Sequence, residues 1–237
     1  MVTAESGKIL WNIVKMKQSM TQCRNWGDMM YLSRITLNTA LRETMKALVS
    51  PNLFHGAIEC SFDGARARRL WRIDDLNGKK YILLVSEAVP DLKQFAEQFG
   101  YAGEYETKDY APFLNRILEG GRWQFRLTAN PVVSKMNGKI MAHITPEFQK
   151  KWLGSRAQKL GFSVDEAEFQ TVQSKWYDFR KKNGAGSSRV RLLSVTFEGV
   201  LTVTDANRFR ETLCNGIGRE KAYGQGLMTI IRCKDGK

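Results

Sequence analysis

Two histidines, His55 and His143, are all the imidazole this 237-residue chain carries, and its four cysteines, Cys23, Cys60, Cys214 and Cys233, lie far apart without a CxxC pair. No Cys/His spacing matches a zinc site, and a His-rich metal centre is excluded. Dispersed thiols fit a reducing compartment, so a cytoplasmic protein is expected. Long apolar runs are missing too. None approaches the ~20 residues of a membrane span, and ILWNIVKM (residues 9–16) is too short and too interrupted for a secretory h-region. Acid is in the minority: Lys and Arg total 37 against 24 Asp and Glu, a formal charge of +13. That excess points to a polyanionic partner, nucleic acid before membrane surface. Hydrophobic residues, at 43%, suffice for one large core or two small ones.

Residues 1–29 look unlike the rest and are set aside as an N-terminal extension of unknown role. From Met30 the pattern is orderly. YLSRITLN (31–38) alternates as a half-buried strand should. Ser50 then Pro51 predicts a helix start, with a side-chain cap followed by a residue that needs no backbone donor, and Phe54, Ala57, Ile58 and Phe62 as its apolar face. RLWRID and KKYILLVSEA predict two strands joined across residues 75–78, and VPDLKQFAEQFG (89–100) a second helix. RWQFRLTANPV alternates again, with Trp123, Phe125, Leu127 and Ala129 inward and Arg122, Gln124, Arg126 and Thr128 outward. Thr145, Pro146 and Glu147 open a helix through TPEFQKKWLGSRAQKLGF. Residues 169–204 are β-rich and broken at RKKNGAGSSR, a hairpin tip by its Asn-Gly and Gly-Ser content. Asp205 caps a last helix (205–216), and GLMTIIRC (226–233) closes as a strand.

Each half therefore reads as β-α-β-β-α-β. The expected fold is α+β, two tandem ferredoxin-like (RRM-like) domains over residues 30–120 and 121–237. The RNP aromatic signature of RNA-binding modules on this scaffold is absent. Between the last helix and strand, GIGREKAYGQGL (216–227) holds Gly216, Gly218, Gly224 and Gly226 beside Arg219 and Lys221. Two readings stand for it: a glycine-rich connector, or a loop that lets phosphate approach. It lacks GK[ST] and precedes a strand, so it is no Walker loop.

YLSRITLN, SPNLFHGAI, FRLTANPVVSK, TPEFQKKWL, VTFEGVLTVTD and GIGREKAYGQGLMTI, in that order from Met30 to about Cys233, resemble the CRISPR-associated CasE family, the repeat-processing endoribonucleases of type I-E systems. The resemblance implies two ferredoxin-like domains that bind the repeat stem-loop of precursor RNA and cut at the base of its stem. It implies cleavage without a metal or other cofactor, leaving a 5′-hydroxyl and a 2′,3′-cyclic phosphate. Mature crRNA and the other subunits of the surveillance complex would be its partners, with no membrane involved.

The family's histidine falls on His55. Such a reaction takes its nucleophile from the ribose, so the protein need only move protons and neutralise charge, and imidazole suits that near neutral pH. His55 stands about 100° around the helix from Phe54, at the margin of the buried face, near a helix N-terminus that attracts phosphate. An ordinary boundary histidine is the plainer reading, and general base or general acid is left open. By position Lys182 matches a lysine that some members carry near the cut, with Arg180 and Lys181 as RNA contacts; a solvated turn is the alternative. Some relatives have tyrosine where this chain has Asn52, a poor acid or base. Arg126, Lys151, Arg156 and Lys159 are further candidates for tracking an A-form stem, and His143 is read as structural. A non-catalytic RNA-binding subunit and a basic scaffold for protein partners are the alternatives.

Overall fold

The computed structural model describes residues 30–233 other than 65, 66, 137, 184 and 185, and of Lys182 and Asn183 the backbone alone. The N-terminal extension lies outside the described residues. β1 (Tyr31–Leu37) buries Ser33, Ile35 and Leu37 and exposes Arg34, the period-2 pattern of a half-covered strand. Two helices follow, α1 (Arg42–Val49) and α2 (Asn52–Cys60). Then come β2 (Leu70–Leu76), β3 (Lys79–Ser86), α3 (Lys93–Phe99) and β4 (Gly100–Asp109). The strands pair antiparallel in the order β2-β3-β1-β4. Phe54 of α2 packs its ring on Phe99 at 5.0 Å and on Trp71 at 5.9 Å, which pins α2 to the sheet. β4 leaves α3 with no linker because Gly100 passes Thr36: a Cβ there would stand 2.4 Å from the Thr36 carbonyl oxygen.

A short turn of helix, α4 (Ala111–Leu114), leads into the second unit. It comprises β5 (Arg122–Ala129), a small hairpin of β6 (Val132–Ser134) and β7 (Ile140–Ala142), and α5 (Pro146–Ala157). β8 (Phe162–Ser163), β9 (Phe169–Asn183), β10 (Gly186–Val203), α6 (Ala206–Asn215) and β11 (Met228–Arg232) complete it. The order is β11-β5-β10-β8, with β9 also on β10, so β11-β5-β10 repeats the arrangement of β4-β1-β3 in the first unit. The fold is α+β, two tandem ferredoxin-like units. Asp205 caps α6 as predicted, its carboxylate accepting from the Arg208 N–H at 2.9 Å.

Three local expectations need correction. Ser50 ends α1, its N–H donating to the Lys46 carbonyl, and Pro51 is the N-cap of α2, which has no side-chain cap. Thr145 likewise flanks α5 without a side-chain cap bond. Thr128 points outward from its sheet yet is only 8% exposed, because the first unit covers that face.

Trp71, Arg72 and Ile73 of the first unit face Thr128 across that side, and the units also share an apolar interface. Leu70 and Val85 of the first sheet belong to one apolar cluster with Phe125, Leu127, Leu213 and Met228 of the second unit. Arg72 crosses the same seam, 1% exposed. Its guanidinium grips Asp74 with two bonds of 2.6 Å, and donates to the Arg126 carbonyl at 2.6 Å, the Leu227 carbonyl at 3.1 Å and the Thr229 hydroxyl at 2.7 Å. A charge this deeply buried is tolerable because each face of the fork is matched. It fixes β2 against β5 and β11.

Candidate functional site

His55 stands on α2 next to fully buried Phe54, with its side chain 27% exposed. Its Nδ1 lies 3.9 Å from a carboxylate oxygen of Glu59, one turn on. Glu59 in turn accepts from Arg69, whose guanidinium lies 4.1 Å from the centre of the Phe62 ring. The imidazole is thus set on a rigid helix, with a carboxylate beside one nitrogen that is itself held in place.

The glycine-rich loop meets this helix. Gly216, Gly218, Gly224 and Gly226 all take left-handed backbone, with φ of 70°, 85°, 75° and 92°. At Gly224 close approach adds to the requirement: a Cβ would lie 2.9 Å from the Trp71 ring. Gly226 donates to the Thr128 carbonyl at 2.6 Å and accepts from the Ile217 N–H at 2.9 Å, which folds the loop back onto β5. Arg219 pairs by a β-bridge with Asn130. Within the loop, the 3-10 turn Lys221–Tyr223 packs against α2. Burial, with the charge of Arg68 second, holds the Lys221 ammonium below the ordinary lysine range. Burial, and then the Glu220 charge, pushes the Tyr223 phenol up.

Tyr223 ties the turn to the long hairpin. Its ring meets Phe179 edge-on at 5.1 Å, and Leu192 completes a small apolar cluster. The register places Arg180 opposite Arg189, Lys181 opposite Ser188 and Lys182 opposite Ser187. Arg180 is exposed and Lys181 half-buried; the side chain of Lys182 lies outside the described residues. Asp178 engages Arg189 with bonds of 2.7 and 2.5 Å, which steadies the hairpin below its basic tip.

So α2 packs on the turn, and the turn packs through Tyr223 on Phe179 and Leu192 of the hairpin, next to Arg180. Other predicted residues stand apart. Arg126 is engaged with Glu198 at 2.8 Å and Asp74 at 3.6 Å. Arg156 folds over the Trp152 ring at 4.6 Å and donates to its carbonyl, and burial holds its guanidinium below the ordinary range. Trp152 itself sits beneath Gly218, 3.2 Å from where a Cβ would be. Lys151 is exposed on α5, and Lys159 is exposed on the 3-10 turn Gln158–Leu160 that follows it. His143 follows β7, its ring 6.0 Å from that of Phe148, and burial, then Arg156, keeps its pKa below the usual value.

Sequence reasoning missed Arg72, Glu59 and Tyr223. An arginine inside the apolar run RLWRID was the available signal for the first. The others emerge only when residues far apart in the chain meet. Among the described residues no group of three His, Cys, Asp or Glu is placed to hold a metal ion, and no helix is long and apolar enough to cross a membrane.

A family model described as CRISPR associated protein matches residues 30–232. The CRISPR-associated endoribonuclease Cse3 of Thermus thermophilus is 32% identical over 214 residues, 85% of this chain and 99% of that protein. A structure of Thermus thermophilus Cse3 bound to an RNA representing a pre-cleavage complex shares 28% identity and superposes with a TM-score of 0.71, over 86% of this chain and 99% of that one. Cas6e from Escherichia coli K-12, at 20% identity, shares the fold with a TM-score of 0.58 over 86% of this chain and 100% of that one. By sequence and by fold, the chain belongs to the CRISPR-associated protein family that includes Cse3, the CasE group.

Proposed function

We propose that this protein is an endoribonuclease that cuts CRISPR repeat stem-loops in precursor RNA and keeps the mature crRNA as a subunit of a type I-E surveillance complex. Residues 30–120 and 121–237 serve as its two domains, and the cytoplasm is its place of work. The observation that carries the reading is the unbroken contact from the His55 helix through the Lys221–Tyr223 turn to the base of the basic hairpin. A strand held by the hairpin is thereby offered to an imidazole on rigid backbone. The RNA-bound state of the Cse3 relative supports it.

In the reaction the ribose 2′-oxygen attacks the adjacent phosphorus and gives up its proton. The 5′-oxygen departs and takes one, leaving a 2′,3′-cyclic phosphate and a 5′-hydroxyl. His55 moves one of these protons. Lys182 supplies the charge that the phosphorane needs, while Arg180, Lys181, Arg219 and Lys221 hold the backbone. Asn52, whose Oδ1 is buried without a hydrogen-bond partner among the described residues, positions and does not titrate. The scheme needs no metal-bound water, since the nucleophile is the substrate's own 2′-oxygen.

The test is cleavage of a repeat hairpin in excess chelator. The parent protein cuts, and His55→Ala slows cutting by ~10²-fold or more while binding persists. Cutting by the variant at parental speed refutes the assignment of His55, and hairpin binding without any cutting by the parent establishes a non-catalytic RNA-binding subunit instead.

A further inference from the structure

Where the two sheets meet, a cleft of about 180 Å³ opens beside the glycine-rich loop, and His55 is not among its lining residues. Its floor is polar and buried. Thr128 and Thr196 share a hydroxyl contact of 3.0 Å, and Ser194 and Gln225 lie alongside, the last only 2% exposed. The Gln225 amide nitrogen donates to the Tyr223 carbonyl at 3.2 Å, yet its Oε1 is buried with no hydrogen-bond partner among the described residues. A buried acceptor left unmatched costs about 1–3 kcal/mol, so this oxygen is set for a donor that arrives from outside.

The rim is basic. Lys80 is neutralised by Asp75 at 2.7 Å, and Arg126 by Glu198 and Asp74. Lys175 has no carboxylate in contact among the described residues; its ammonium lies 4.4 Å over the Tyr177 ring and 3.4 Å from the Leu48 carbonyl. Burial, and then the charge of Lys80, holds it below the ordinary lysine range. One cleft is thus lined by an ammonium with no carboxylate beside it and by an unmatched acceptor, which suits a ligand that is anionic at one end and donates at the other. A cleft of this size admits one sugar and its phosphate within it.

We propose that this cleft holds one sugar–phosphate unit of the single-stranded RNA flanking the hairpin, with the phosphodiester against Lys175 and the ribose 2′-hydroxyl donating to Gln225 Oε1. The inference rests on the function proposed above and adds to it a second point of contact, away from the proton-moving histidine. It makes the protein a reader of the strand beside the stem, and a reader that tells ribose from deoxyribose.

The test compares three uncleavable hairpins, each with deoxyribose at the cut position: blunt, with a short single-stranded RNA tail, and with the same tail in deoxyribose. The full-length protein binds the RNA-tailed form about fivefold more tightly than the deoxy-tailed one, as loss of one hydrogen bond requires. Lys175→Gln removes the advantage of either tail over the blunt form and lowers the log–log salt slope by ~0.7 for tailed RNA alone. Gln225→Met removes only the ribose preference. If Lys175→Gln weakens blunt and tailed hairpins equally, or changes neither, the cleft is not the tail's site. Uridine monophosphate must bind far more weakly than the tailed hairpin; a strong thermal shift that disappears in Lys175→Gln, with no advantage of tailed over blunt hairpins, would identify a free nucleotide as the ligand and overturn the proposal. Failure of the parent to bind any hairpin would instead overturn the function itself.

Discussion

Arg72→Leu is the perturbation that most directly tests how the two units are joined. The guanidinium is 1% exposed and closes five hydrogen bonds, three of them across the seam. Replacing it with a hydrocarbon of similar bulk leaves the Asp74 carboxylate, 17% exposed, and two carbonyls without their donor. Removing one partner of a buried ion pair costs about 3–5 kcal/mol. Arg126, already 3.6 Å from Asp74, compensates in part. The lower end, roughly 3 kcal/mol, is therefore expected, which for a chain of this size lowers Tm by roughly 6–12 °C. Scanning calorimetry measures it. The double variant Arg72→Leu/Asp74→Asn should lose less than the sum of the single variants, with a coupling of about 2 kcal/mol, since the stranded charge is then gone. A drop below about 2 °C for Arg72→Leu, or strict additivity in the cycle, would refute the reasoning.

Two further outcomes follow from single groups. Gly224→Ala should destabilise by about 2–4 kcal/mol, combining left-handed backbone with a clash against buried Trp71, whereas Gly154→Ala, on α5 with no neighbour within 4 Å, should stabilise by about 0.5–1 kcal/mol. Chemical denaturation of the pair decides, and equal effects would sink the argument. Tyr110, 4% exposed, has its phenol pushed up chiefly by burial and then by Cys214. Its folded pKa exceeds the unfolded value of 10.0, so its share of stability is intact below that pH and is lost as pH rises further. Tm should fall above pH ~10 and fall less steeply in Tyr110→Phe; an identical alkaline limb would contradict this.

The architecture was largely legible where burial is one-sided. β5 alternates because α5 and α6 cover one of its faces, and α6 announces itself through Asp205 and a clear apolar stripe. α1 escaped notice because the residues it buries are Thr44 and Ala47, too weakly apolar to mark a face. β4 escaped because it is an exposed edge strand, with only Gly100 buried, and shows no alternation. Of the site, a scarce histidine beside Phe54 and a glycine-rich loop were readable as pieces. Their meeting was not, since Trp71 and Gly224 are brought together only by tertiary packing. Arg126 reads as a free cation in sequence, and only the fold reveals the carboxylates that occupy it.

The turn at Lys221–Tyr223 also has a consequence for timing. During synthesis His55 leaves the ribosome far ahead of the segment that braces its helix, and Leu227 and Thr229, which Arg72 must grasp, come later still. A growing polypeptide therefore carries the helix of His55 before the turn that braces it exists. The bonds by which Arg72 joins the units cannot close until Leu227 and Thr229 have emerged, so the seam forms late and as a whole.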